Sequence, residues 1–281
     1  MHRMQKIDGK QIAKEIIDEL KKKPVPKKFL AAFLVGDDPA SVSFINQKKK
    51  IADKLGVDFR LYKYSKDITN DEMRKEVGKI VQGKACGGAL VQLPLPKQLN
   101  KHYILNVIPR EKDVDALGER ALGAFYTGRN PVNPPAVGTV KKVLEAINYK
   151  LEANQVAIVG SGLLVGKPIA VWLKGKAAGL SVFDKKTKGL EEKLKEYDLI
   201  ISGTGQGGLI KPEMLKESAG IIDFGYAAGP DDELMGDFDS SSLKANEAKS
   251  YKLAFYTPTP GGTGPIVVSQ LFENFYTLNE S

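Results

Sequence analysis

An α/β chain of two domains is what this sequence predicts, and three observations predict it. Short apolar runs alternate with stretches of helical spacing along most of the 281 residues, the rhythm of parallel strands covered by helices. Residues 118–135 break that rhythm and gather Gly, Asn and Pro, as a domain junction does. Beyond them, Val156-Ala157-Ile158-Val159 runs into Gly160-Ser161-Gly162-Leu163-Leu164-Val165-Gly166-Lys167-Pro168, a buried strand entering a helix through a glycine-rich turn.

The first half reads as βαβαβ behind an opening helix. Ile12, Ala13, Ile16, Ile17 and Leu20 recur at helical spacing over residues 9–22. Phe29 to Val35 is an apolar strand ended by Gly36-Asp37-Asp38-Pro39. A helix from Ser41 to Lys54 stops at Gly56, and Asp58 to Tyr64 alternates like a more exposed strand. Asn70 to Gln82 is helical with Thr69 or Asn70 as its cap, and Gly88 to Leu93 is a buried strand halted by Pro94-Leu95-Pro96.

The second half repeats the βα rhythm of a Rossmann-like domain. A helix from about Gly138 leads to the strand at 156–159 and a helix at 166–175. Leu180–Phe183, Leu199–Ser202 and Gly220–Asp223 are the next strands, and Ile266 to Leu278 is an apolar helix that packs against something. The expected domains are 1–135, completed by the carboxy-terminal helix 266–281, and 136–265.

Composition excludes several function classes. Apolar content of 42% and charged content of 27% are those of a soluble globular chain. The net charge of +8 is spread along the length without a basic stripe or recognisable module, which argues against nucleic acid and for a polyanionic ligand. A single cysteine, Cys86, excludes an internal disulfide, and only two histidines leave zinc ligation and a Ser/His/Asp triad unsupported, so no metal is expected. Charges at Arg3, Lys6 and Asp8 speak against a signal peptide, and no apolar run approaches the roughly 20 residues a membrane span needs. The expected location is cytoplasmic.

Five constellations carry chemistry. The glycine loop has the spacing G-x-G-x-x-x-G, which brings backbone N–H groups to a pyrophosphate at a helix start marked by Pro168. Asp184 ends the next strand about 24 residues after Gly160, placed to accept from an adenosine ribose as NAD requires, while Lys185 and Lys186 suit the 2′-phosphate of NADP. Phe44 and Lys48 lie one helical turn apart on one face, where a lysine is by default a solvated charge. Gln92, inside Val91-Gln92-Leu93-Pro94-Leu95-Pro96 at the carboxyl end of a strand, is either a backbone-satisfied buried amide or a pocket residue. Lys112-Asp113-Val114-Asp115 is an acidic pair that equally reads as a helix start. Thr257-Pro258-Thr259-Pro260-Gly261-Gly262-Thr263-Gly264-Pro265 holds three prolines and three glycines in nine residues, a loop of defined shape.

In order and spacing these motifs resemble the bifunctional methylenetetrahydrofolate dehydrogenase/methenyltetrahydrofolate cyclohydrolases, from Asp8-Gly9-Lys10 to the helix after residue 265. The family's Tyr-x-x-x-Lys-x-Lys helix looks like Phe44 to Lys50, and its Val-Gln-Leu-Pro-Leu-Pro and Lys-Asp-Val-Asp stand unaltered at 91–96 and 112–115. The resemblance implies an amino-terminal catalytic domain, an NAD(P)-binding domain and a folate cleft between them. It implies Lys48 as the central catalytic group, Gln92 as the residue that positions and tunes it, and Asp115 as the holder of the pterin. Phe44, Pro260, Gly261 and Gly262 join Asp115 as substrate-binding residues. Gly160, Ser161, Gly162, Gly166, Asp184, Lys185 and Thr204 are the implied residues for NADP or NAD. Tetrahydrofolate one-carbon derivatives are the implied substrates, and a homodimer the implied assembly, with no nucleic-acid or membrane partner.

The chain also departs from the family pattern. Phe44 replaces a tyrosine, Asn133-Pro134-Pro135-Ala136-Val137-Gly138 stands where Pro-Cys-Thr-Pro-x-Gly is common, and Val267 replaces a threonine. Ser161 stands where NADP-dependent members often have arginine, which tips cofactor choice towards NAD. Two rival readings are a Rossmann dehydrogenase for another small substrate, such as a shikimate-type enzyme, and a catalytically weak relative that only binds dinucleotide and folate.

Overall fold

The computed structural model describes residues 4–228, 233–245 and 252–280. In chain order its elements are β1 (Gln5–Lys6), α1 (Gly9–Lys21), β2 (Phe29–Val35), α2 (Pro39–Leu55), β3 (Phe59–Tyr64), α3 (Asn70–Val81), β4 (Cys86–Val91), α4 (Lys101–Leu105), α5 (Glu119–Tyr126) and α6 (Pro135–Ala146). There follow β5 (Gln155–Val159), α7 (Gly166–Leu173), β6 (Gly179–Phe183), α8 (Leu190–Leu194), β7 (Leu199–Ser202), β8 (Gly220–Asp223), β9 (Ala227–Ala228), β10 (Leu234–Met235), α9 (Ser242–Ala245), β11 (Phe255–Tyr256) and α10 (Thr263–Thr277).

The chain divides into two compact units, one of Lys14–Pro135 with Val268–Ser281 and one of Met1–Ala13 with Ala136–Val267. The cuts fall inside α1, after the first residue of α6 and inside α10. The segment up to Ala13 therefore departs from the expected boundary of 1–135. Its grouping has a direct cause: β1 pairs in parallel with β11, Gln5 opposite Phe255 and Lys6 opposite Tyr256. Gly9 then packs so closely on Gly261 and Gly262 that a methyl group there would enter their carbonyls.

In the unit of residues 14–135, the sheet order is β3-β2-β4 with both pairings parallel. Every residue of β2 and β4 is buried, as expected of a central parallel strand and a covered neighbour, whereas β3 is half-exposed and edges the sheet. Cys86 is fully buried, in keeping with the small-hydrophobe reading. The capping box of α3 is made by Thr69 and Glu72, which selects Thr69 over Asn70 as the cap. From α10, Phe272 and Phe275 are fully buried, and Gly88 lies so close to Phe275 and Val114 that an added Cβ would meet both at under 3 Å (2.7 and 2.8 Å).

The rhythm-free stretch at 118–135 contains α5, a helix the sequence reading lacks. It has eight residues, includes Gly123, and buries only Ala121, so its periodicity is too short to register. Its first turn is anchored by Asn106, whose Oδ1 accepts from Glu119 N at 2.8 Å.

The other unit carries a six-stranded sheet in the order β1-β11-β8-β7-β5-β6. All its pairings are parallel, the arrangement expected of a doubly wound sheet. Ala157, Val159, Ile200, Ile221 and Phe238 share one buried cluster beneath the helices. Among the described residues, no helix is long and apolar enough to cross a membrane.

Candidate functional site

In the unit of residues 14–135, the chemistry gathers at the carboxyl ends of β2 and β4. Helix α2 starts there because Asp38 accepts from Ser41 N at 2.8 Å and Pro39 occupies the first turn. It ends at Gly56, whose φ of 69° closes the helix with a left-handed cap. Ile45 and Ala52 are buried, and Lys48 lies three residues after one and four before the other. That shared face half-buries a lysine. Phe44, one turn earlier, is also half-buried.

Gln92 follows directly on β4. Its backbone N–H donates to Phe33 O at 2.9 Å, extending the pairing with β2 by one residue. Its side-chain Nε2 donates to Leu93 O at 2.7 Å, leaving Oε1 aimed at Lys48 Nζ, which donates to it at 2.7 Å. The amide is thus backbone-anchored, as the first of the two readings of Gln92 has it, and its oxygen is turned onto the lysine.

Asp115 reaches the same place by another route. Lys112 Nζ ties its segment to α3 by donating to Val81 O at 2.6 Å and Gly83 O at 3.0 Å, while Asp113 bridges in parallel to Ala89. Asp113 is no helix start. Its buried Oδ2 accepts from Leu117 N at 3.0 Å and Gly118 N at 2.8 Å, closing a turn around Ala116, which has φ of +51°. Asn274 on α10 then donates to both Val114 O and Asn133 O at 2.8 Å, fixing the turn on which Asp115 sits. Burial pushes the Lys48 ammonium below its ordinary pKa, opposed by the charge of Asp115, and pushes the Asp115 carboxyl up, opposed by Lys48. The charge of each favours the charged form of the other. A desolvated amine with a nearby carboxylate and an amide acceptor gives up its proton more readily than a solvated lysine.

Asp113 itself is held to about pKa 7 by burial, with Asp115 adding to the rise and the backbone N–H groups opposing it. It and Asn274 are the supports that sequence reasoning missed. Asn274 had a signal, a polar residue among the buried Leu271, Phe272 and Phe275 of an apolar helix.

In the other unit, the glycine loop explains its long spacing. Gly160 has φ of +103°, and a Cβ there would sit 2.6 Å from Gly203 O. Gly166 is buried against Gly160 O with no room for a methyl. The first and third glycines therefore serve the turn's own packing. Ser161 and Gly162 are exposed, and Gly162 has nothing within 4 Å of where a Cβ would lie. An exposed glycine at the end of β5 and ahead of α7 gives a pyrophosphate room to approach the backbone, so these residues fit a dinucleotide.

Thr204 lies beside Gly160, its Cγ2 3.3 Å from the same Cβ position. Asp184 and Lys185 are exposed just past β6, and Asp184 Oδ1 accepts from Lys186 N at 2.9 Å. Gly160 N donates to Phe183 O at 2.8 Å, which brings the β5 and β6 ends together. Within the loop at 257–265, Pro260 is exposed, Gly261 has φ of +96°, and buried Gly262 donates its N–H to Pro258 O at 2.8 Å.

Known proteins can be set beside this geometry. Residues 7–115 match the model of the tetrahydrofolate dehydrogenase/cyclohydrolase catalytic domain, and residues 134–281 that of the corresponding NAD(P)-binding domain. The bifunctional protein FolD of Mycoplasma mycoides is 34% identical over 280 residues, 97% of this chain and 95% of that one. The crystal structure of the bifunctional methylenetetrahydrofolate dehydrogenase/cyclohydrolase of Campylobacter jejuni aligns with a TM-score of 0.91 at 31% identity, covering 99% of both chains. That of Trypanosoma brucei, complexed with NADP and an inhibitor, aligns with a TM-score of 0.90 at 27% identity, covering 100% of this chain and 98% of its own. The motifs, the two parallel sheets and these likenesses over nearly the full length agree: the chain belongs to the tetrahydrofolate dehydrogenase/cyclohydrolase family.

Proposed function

We propose that Lys48, Gln92 and Asp115 are the working side chains of a two-step folate enzyme. The chain oxidises 5,10-methylenetetrahydrofolate to the 5,10-methenyl form with a nicotinamide cofactor, and hydrolyses that product to 10-formyltetrahydrofolate, in one-carbon metabolism. The observation that carries the residue assignment is the 2.7 Å bond from Lys48 to Gln92 beside the electrostatically coupled Asp115.

In the oxidative step, bound NAD(P) supplies the hydride acceptor. Asp115 holds the pterin, and Phe44, Pro260, Gly261 and Gly262 give apolar and backbone surface to the folate. The protein's contribution is orientation. In the hydrolytic step, water oxygen bonds to the methenyl carbon and the bond from that carbon to N5 breaks. One water proton ends on N5 and the other leaves to solvent. Lys48 takes and returns the proton in transit, its amine made available by desolvation and its direction set by Gln92.

Gly160, Ser161, Gly162, Gly166 and Thr204 hold the dinucleotide phosphates and backbone, and Asp184 with Lys185 meets the adenosine ribose. The uncharged Ser161 and the carboxylate of Asp184 favour NAD. The enzyme works in the cytoplasm as a homodimer, without nucleic-acid or membrane partners. Edge strand β6, with Val182 45% exposed, supports association of the cofactor units. Sedimentation velocity checks the dimer.

The deciding experiment follows methylenetetrahydrofolate oxidation with NAD and NADP in parallel, then methenyltetrahydrofolate loss for wild type and Lys48→Met. Oxidation in wild type with hydrolysis lost in the variant is expected. Wild-type hydrolysis by Lys48→Met overturns the mechanism.

A further inference from the structure

Two buried carboxylates in the cofactor unit lie outside this mechanism. Asp237, fully buried, accepts at Oδ2 from Ser202 Oγ (2.5 Å) and Thr204 N (2.6 Å), and at Oδ1 from Gln206 N (3.0 Å). It therefore holds the loop after β7, the loop that adjoins Gly160. The same segment is tied again where Gly208 N donates to Gly236 O at 2.9 Å and Ile210 N to Asp237 O at 2.8 Å.

Asp223, at the end of β8 and equally buried, faces the other way. Its carboxylate accepts from Gly225 N at 2.6 Å and Phe238 N at 2.9 Å. Its backbone N–H donates to Thr257 Oγ1 and its carbonyl accepts from Thr263 Oγ1, both at 2.7 Å. Those two threonines bracket the proline-glycine loop.

The two carboxylates are packed against each other's backbones without slack. A Cβ on Gly225 would strike Asp237 N and lie 2.5 Å from Asp237 Oδ1. One on Gly236 would strike Asp223 Oδ2 and lie 2.7 Å from Thr259 Oγ1. Displacing Thr204 and Gln206 thus drags residues 236–238, and these carry Asp223 and the threonines with it. Burial and the neighbouring Asp237 charge raise Asp223 to about pKa 6, against the pull of the N–H donors around it. Two carboxylates kept this close in a core are costly unless their backbone partners stay in place, so the arrangement resists independent movement of the two loops.

We propose that Asp223 and Asp237 are positioning residues that couple occupancy of the dinucleotide loop to the shape of the Pro258–Thr263 loop, so that cofactor and folate bind cooperatively. This rests on the proposed function, which gives one loop to the dinucleotide and the other to the folate. The coupling is reciprocal: whatever factor folate adds to cofactor affinity, cofactor adds to folate affinity.

The test is calorimetric titration of NAD and NADP into the full-length protein, with and without saturating tetrahydrofolate under anaerobic conditions. Lacking the methylene carbon, this folate permits binding without turnover. In wild type, tetrahydrofolate should tighten cofactor binding by about fivefold or more. In Asp237→Asn, which keeps the shape but removes the charge and one of the two acceptor oxygens, that factor should fall towards one. A merely structural residue would weaken both ligands and leave the factor unchanged, which overturns the proposal. Thr257→Val, which removes the acceptor on the opposite side of the brace, should also lose the coupling, and does so independently if Asp237→Asn fails to fold. Wild type that binds both ligands without cooperativity sinks the coupling alone. Wild type that binds no tetrahydrofolate sinks the proposed function with it.

Discussion

Lys48 Nζ donates to Gln92 Oε1 at 2.7 Å, and the remainder of the Gln92 amide is spent on Leu93 O. The amide cannot turn over without breaking its backbone bond, so the lysine meets an acceptor and never a donor. A neutral acceptor orients the amine without adding negative charge, leaving desolvation to lower its pKa.

Gln92→Glu should therefore raise the Lys48 pKa, because a carboxylate at the same place favours the ammonium. The alkaline amine becomes available only at higher pH. The pH profile of methenyltetrahydrofolate hydrolysis should shift upward by about a unit or more, within the range an adjacent opposite charge produces. An unshifted profile would mean that Lys48 is not the group titrating in the rate.

The two halves of this site differed in how far the sequence revealed them. Gln92 was legible because it breaks a local pattern, an amide at the end of an apolar strand, whereas Lys48, a solvated charge by its local sequence, was singled out only by the resemblance of its motif. Gly56 marked the end of α2, since a cap is local chemistry, but Asp38-Pro39 reads as the turn after β2, and the helix begins at Pro39, two residues before the expected Ser41. The turn at Asp113 was not legible. Its acceptor bonds reach four and five residues along a non-repeating loop, and its second support, Asn274, is 160 residues from Val114. Helix α5 was hidden by its length, and β1 by pairing through only two residues with a strand near the other end of the chain.

Asn274→Leu should loosen that loop. It leaves the buried Val114 O and the partly buried Asn133 O without their 2.8 Å donor. The expected cost is about 1–3 kcal/mol of unfolding free energy. Folate KM should rise more than kcat falls, because Asp115 is displaced while Lys48 and Gln92 keep their bond. Chemical denaturation and steady-state kinetics read the two effects.

Asp113 gives stability a pH dependence. Its folded-state pKa of about 7 lies above the ordinary 3.8, so between those values the folded protein retains a proton that the unfolded chain has lost. Its contribution is fully present below the lower value and is lost as pH rises through the upper one, with a slope of up to about 1.4 kcal/mol per unit. Asp113→Asn keeps an acceptor for Leu117 and Gly118 and cannot ionise. Its stability between about pH 5 and pH 7 should change less steeply than that of wild type. Asp223 titrates near 6 in both proteins, so the difference between the two curves isolates Asp113. Parallel curves would show that Asp113 stays ionised.

Phe44 lies one turn before Lys48 and presents a ring without a hydroxyl. Orientation of the lysine then rests on Gln92. Oxidation, which needs two rings placed together, should tolerate this better than hydrolysis, which needs a directed amine. Phe44→Tyr should raise the rate of methenyltetrahydrofolate loss, with the non-enzymatic rate subtracted, and leave oxidation within about twofold, below the factor of about 10 that a 1.4 kcal/mol change in barrier produces. Equal or slower hydrolysis would show that the hydroxyl has been replaced by another device.

In the proposed function, cofactor choice turns on Asp184. The residue is exposed past β6, and its Oδ1 accepts from Lys186 N at 2.9 Å, a short turn that also sets where Lys185 and Lys186 leave the backbone. The carboxylate suits a ribose diol and repels a 2′-phosphate, while the adjoining lysines attract one. Asp184→Ser removes the repulsion and keeps a side-chain oxygen able to accept from Lys186 N, so the lysines stay in place. The ratio of kcat/KM for NADP over NAD should rise by tenfold or more, corresponding to about 1.4 kcal/mol of differential binding. Raising the salt concentration should shrink that gain, because an exposed lysine–phosphate attraction is screened within roughly 10 Å at 0.1 M salt. A ratio that does not move places the Asp184 side chain away from the adenosine and returns the choice of cofactor to Ser161.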